Sequence, residues 1–217
     1  MFINICMKLL KKGKFYEEVN FVFFIKKIVA YYKANNFPLV VMNNYFKFSS
    51  KSELIFDIVI PFIISIIFVF VMFTDKYDTF EEIVDTFYKV NGNVITAISI
   101  LAGFNFASIS LLASSNSETI TKLKEELSEE HSTEVLKVTH FDLVLSFFSW
   151  AIIVQITTIA FILIVMSFFS LNLNISVTYI LLVKIIGVIW CTLVIHSLLI
   201  TIRNVKNMYF FMKYEEK

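Results

Sequence analysis

The sequence predicts an all-α integral membrane protein with four transmembrane helices. Three observations predict it. Four apolar runs, over residues 54–73, 94–113, 143–169 and 177–202, each reach crossing length. A helix rises about 1.5 Å per residue, so roughly 20 apolar residues traverse a hydrocarbon core of about 30 Å. No charged side chain occurs in the 41 residues between Asp142 and Lys184, enough for one crossing, a turn and the start of the next. Of the 217 residues, 58% are hydrophobic and 17% are charged. A soluble domain carries about 25% charged residues. Mean hydropathy is +0.76.

The charges are sorted by segment. Residues 1–53 hold nine Lys and three Glu, a net +6. Residues 74–93 are net −3, residues 114–142 net −4 and residues 201–217 net +2. Basic flanks stay in the cytoplasm. An even number of spans puts both tails on one side, and both tails are basic. The expected topology is a multi-pass protein of the inner (cytoplasmic) membrane with N- and C-termini cytoplasmic. Richness in Ile, Phe, Lys and Asn suits an AT-rich bacterial genome. The apolar opening of the chain is too short for a signal h-region, so the first span is expected to act as the targeting signal. Two cysteines, Cys6 inside and Cys191 in the fourth span, give no expected disulfide.

Residues 1–53 form a basic amphipathic region. Phe2, Ile5, Cys6 and Leu9 share a helical face, and Phe15 to Tyr32 continues an apolar pattern broken by lysines. Two readings stand side by side: an interfacial segment with lysines toward anionic headgroups, or a small packed cytoplasmic subdomain. Leu39 to Phe48 around Asn43-Asn44 reads as a β-hairpin, because Asn tolerates positive φ in a two-residue turn. The first span (54–73) follows a capping box, Ser50-Lys51-Ser52-Glu53. Asp57 lies near its start, and Pro61 is expected to kink or restart it. The outer segment (74–93) carries a short amphipathic helix, with Phe80, Ile83, Val84, Phe87 and Tyr88 as its stripe.

The second and third spans read as one unit. Residues 94–130 and 133–169 contain no proline, and helix-compatible sequence continues past the apolar limits. Each arm is 37 residues, about 55 Å as helix. The expected result is a cytoplasmic helical hairpin turning at 131–132. Ile120, Leu123 and Leu127, with Glu130 and His131 at the tip, offer a docking face for a cytoplasmic protein partner within 114–142. The fourth span (177–202) precedes a cytoplasmic tail, 203–217.

Functional candidates are few. Thr96, Ser99, Gly103, Ala107, Ser110 and Ser114 share one helical face. Small residues let helix backbones approach in lipid, within the chain or between copies. Asn105 points the opposite way, at the depth of Gln155 and Thr158. An amide in hydrocarbon needs a partner, so this is a structural pair or a polar patch in a cavity. Lys184 lies inside the fourth span and either snorkels outward or faces a cavity. Phe56-Asp57-Ile58-Val59-Ile60 echoes Phe141-Asp142-Leu143-Val144-Leu145, which would place Asp57 and Asp142 at one inner mouth if a two-helix unit is duplicated.

There is no glycine-rich phosphate loop, no paired-cysteine motif and no nucleophile elbow. His131, His140, Glu130 and Glu134 lack ligand spacing, and Cys191 and His196 do not share a face. No catalytic residue, metal or cofactor is expected, and the basic N-terminal patch suits lipid headgroups rather than nucleic acid. The leading expectation is a non-enzymatic membrane anchor, sensor or membrane-perturbing subunit that self-associates. By analogy of architecture alone, it would serve a stress or phage-defence (antiviral) system. The alternative is a small ion channel or transporter using Asn105, Gln155 and Lys184.

Overall fold

The computed structural model describes residues 36–72, 80–115, 117–128, 132, 137–170 and 180–213. The expectations for residues 1–35, for Glu130 and His131, and for the turn at 171–179 lie outside the described residues. The chain divides into two units, Met1–Val40 and Val41–Lys217. In the first, the Asn36 carbonyl accepts from the Leu39 and Val40 N–H groups at 3.0 Å, which opens helix α1 (Phe37–Phe48).

The rest of α1 belongs to the second unit and replaces the expected hairpin. Val41, Tyr45 and Phe48 are its buried residues. Their i, i+4, i+7 spacing fits one helical face; a strand would send Phe48 to the face opposite Val41 and Tyr45. Tertiary burial therefore decides against the local turn signal of Asn43-Asn44.

The first span begins where the capping box places it. Ser50 Oγ accepts the Glu53 N–H at 3.3 Å, and Glu53 Oε2 accepts the Ser50 N–H at 2.8 Å. Helix α2 (Lys51–Leu54) passes into a π-helical turn, Ile55–Val59, and then into α3 (Ile60–Met72). Pro61 explains the wide turn. In an α-helix its ring would press on the carbonyl four residues back, that of Asp57, and it has no N–H to give that oxygen.

Helix α4 spans Phe80–Ser114 without interruption. The expected separate outer helix is therefore the opening of the second span. The expected long arms are not formed. Helix α4 stops at Ser114, and Ser117 caps a new short helix, α5 (Glu118–Glu125), by accepting the Ile120 N–H at 3.3 Å. An isolated antiparallel bridge pairs Leu127 with Thr139, and α6 starts only at His140, running to Ser170. The cause is apolar. Ile120 and Leu123 pack with Leu112, Val144 and Phe148. A projecting hairpin would leave those side chains in water. Helix α7 (Ile180–Lys213) outlasts the expected fourth span and takes in much of the expected tail.

Helix α4 packs on α6, α3 on α7, and α6 on α7, with α5 laid against α6. Asn91, Ile98, Asn105 and Leu112 form the buried seam of α4 at seven-residue intervals. Among the described residues, four helices are long and apolar enough to cross a membrane, and only 17–33% of each apolar window is buried inside the protein. Their length and composition are those of membrane-spanning helices.

Candidate functional site

A buried ionic cluster sits where α1, the π turn and α7 meet. Asp57 is 0% exposed and Arg203 6%. Arg203 Nη1 lies 2.5 Å from Asp57 Oδ2. None of the Arg203 N–H groups is aligned for a hydrogen bond, so charge rather than a directed bond holds the contact. The Tyr45 hydroxyl donates to the same Oδ2 at 2.8 Å. The guanidinium lies over two rings, with its central carbon 4.4 Å from the Phe147 centroid and 5.1 Å from that of Tyr45. Trp150 stacks on Tyr45 at 5.0 Å and 24°.

The π turn has a direct consequence for this cluster. With Pro61 unable to donate to the Asp57 carbonyl, His196 Nδ1 reaches it at 2.5 Å. A carbonyl oxygen only accepts, so Nδ1 carries the proton. Burial, reinforced by the Asp57 charge, pushes the Tyr45 phenol well above its ordinary value, and it stays a donor. Among the described residues, Asp57 Oδ1 and the three Arg203 nitrogens have no hydrogen-bond partner. The arrangement ties the helix before the first span to the first and fourth spans.

A second polar group lies among α4, α6 and α7. Asn105 Nδ2 donates to Gln155 Oε1 at 3.1 Å and to Thr201 Oγ1 at 3.3 Å. Gln155 Nε2 donates to Thr201 Oγ1 at 2.8 Å, and Asn204 Nδ2 to Asn105 Oδ1 at 3.2 Å. Thr158 and Ser197 hydroxyls meet at 3.2 Å. Asn105, Gln155, Thr158 and Asn204 are all fully buried. Toward the other end of the bundle, Trp190 Nε1 donates to Asn91 Oδ1 at 2.8 Å.

The remaining candidates fall apart from these groups. Thr96, Ser99, Gly103, Ala107, Ser110 and Ser114 are all exposed on α4. A Cβ added at Gly103 would meet nothing within 4 Å. Lys184 is half-buried, with Nζ 5.8 Å from the Phe70 ring centroid, against the first span rather than the Asn105 group. Asp142 is exposed and accepts from the Thr139 N–H and hydroxyl at 3.0 and 2.8 Å, so it and buried Asp57 form no common mouth. Of the expected docking face, Ile120 and Leu123 are buried in the protein's own core, while Leu127 is 42% exposed.

Sequence reasoning missed Arg203, Tyr45 and His196. One signal was present. A buried Asp57 demands a cation, and the first and fourth spans run antiparallel, so the start of one lies level with the end of the other. No family model, no curated protein and no solved structure matches the chain.

Proposed function

We propose that this chain is a non-enzymatic, multi-pass protein of the cytoplasmic membrane, with both tails inside, that self-associates through α4. In that form it acts as a membrane anchor, sensor or membrane-perturbing subunit, with stress or phage defence as the setting that its plain architecture suits. The observation that carries the reading is the open small-residue face of α4. Gly103 and Ala107 are unpacked within the protomer, while the opposite face of the same helix holds the buried amides. In lipid, where apolar surface gives no drive to associate, a small-residue face gains contact by close backbone approach. The Tyr45–Asp57–Arg203 tie supports a sensing role, because it links the helix preceding the spans to two of them.

The channel alternative draws no support from the candidate residues. The Asn105 and Gln155 side chains are buried against each other, and Lys184 lies elsewhere. Disulfide cross-linking in membranes tests the association. With native cysteines replaced, Ala107→Cys is expected to give a covalent dimer and Ser108→Cys, on the buried face, to give none. A monomeric Ala107→Cys chain under oxidation refutes the interface. Ion flux from reconstituted protein that is lost in Lys184→Ala favours the channel.

A further inference from the structure

A groove of about 290 Å³ runs between the start of the first span and the end of the fourth. Its walls are Ser52, Glu53 and Phe56 on one side and Ile202, Arg203 and Lys206 on the other. Each trio has i, i+1, i+4 spacing, so two helix ridges face each other across it. The groove lies beside the Ser50 cap, at the start of the first membrane-length helix.

Neither Glu53 nor Lys206 has an ion-pair partner among the described residues. Glu53 gives Oε2 to the cap, and Oε1 takes no hydrogen bond among the described residues. Lys206 makes no ion pair among the described residues; its Nζ rests 5.8 Å from the Phe210 centroid. Beside these groups, Phe56 and Ile202 are 43% and 60% exposed and fully apolar. An occupant that satisfies all of them carries an anion, a cation and hydrocarbon within one small span.

We infer that the groove binds an aminophospholipid. Its phosphate lies against Lys206. Its ammonium meets Glu53, and its first acyl carbons pass over Phe56 and Ile202. A lipid with an anionic headgroup and no amine would set its charge beside Glu53 without compensation. Free phosphate would leave the apolar walls wet. The inference rests on membrane insertion but not on self-association.

The test uses the full chain purified in detergent, with bound lipid counted by native mass spectrometry. Short-chain phosphatidylethanolamine is expected to bind about fivefold tighter than short-chain phosphatidylglycerol, the scale of one partly exposed ion pair. Glu53→Gln keeps a residue that serves in a capping box, so the helix start survives while the preference disappears. Lys206→Ala, at an exposed position, is expected to weaken both lipids about fivefold; Lys206→Gln repeats the measurement if the alanine variant folds poorly. Equal binding of the two lipids by the unmodified chain, or no effect of either Lys206 variant, overturns the site. Displacement of phosphatidylethanolamine by inorganic phosphate alone overturns the lipid assignment in favour of a phosphate site. Release of the chain from membranes by alkaline carbonate refutes insertion itself, an outcome separable from loss of lipid preference.

Discussion

Replacing Arg203 by Met tests what holds the first span to the fourth. The substitution removes the cation 2.5 Å from a carboxylate that is fully buried, leaving Asp57 with the Tyr45 hydroxyl as its side-chain partner. Breaking a buried pair from one side costs about 3–5 kcal/mol, mostly the desolvation of the charge left behind. The two ring faces around the guanidinium add up to about 2 kcal/mol, part of which the Met sulfur recovers. Asp57→Leu strands Arg203 in the same way and carries a similar cost. The combination with Tyr45→Phe removes the carboxylate, the guanidinium and the phenol together and leaves the His196 bond to the backbone carbonyl in place. Among the described residues the native cluster leaves Asp57 Oδ1 and all three guanidinium nitrogens without a hydrogen bond, so its own desolvation is poorly offset. The triple variant is therefore expected within about 1 kcal/mol of the native chain. Stability is read by detergent-driven unfolding in mixed micelles, with Trp150, stacked on Tyr45, as the fluorescent reporter. Strictly additive losses for Arg203→Met and Asp57→Leu, with coupling below about 0.5 kcal/mol, refute the reasoning.

Tyr45 is expected to remain un-ionised while free tyrosines titrate near about 10, because its folded value is raised. Its contribution is complete below the unfolded value and is lost as pH climbs through the folded one, so alkaline absorbance of the native chain minus Tyr45→Phe is expected to show no transition near about pH 10, and a transition there refutes the burial. Asn105→Ala is expected to cost about 1–3 kcal/mol by stranding Gln155 and Asn204 groups, whereas Gly103→Ala gains about 0.5–1 kcal/mol of helix stability in open space. Equal effects at the two positions in the same unfolding assay contradict the assigned faces of α4. Pro61→Ala supplies an N–H to the Asp57 carbonyl, so the π turn is expected to relax and the His196 Nδ1 proton resonance to lose its strongly hydrogen-bonded shift. An unchanged resonance shows that His196, not Pro61, imposes the turn.

What was legible in the sequence follows from which forces act locally. The spans were legible because crossing length and apolarity are properties of a run, and the Ser50–Glu53 cap because its two bonds are closed within four residues. Asn105 and Gln155 were legible as neighbours because an amide in hydrocarbon has few affordable partners. The break in the expected arms was not, because nothing between Ser114 and Ser117 forbids a helix. The break arises from burying Ile120 and Leu123 against Val144 and Phe148, a gain invisible to any window of local propensity. Arg203 was missed for a related reason. A boundary drawn where apolar sequence ends assigned it to a tail, yet α7 continues ten residues further, to Lys213. Charge marks where hydrocarbon stops, whereas helix continuity follows backbone bonds and side-chain packing. The ionic cluster occupies the gap between those two limits. Asp57 just inside one span and Arg203 just beyond another can pair because neither helix ends where its apolar run does.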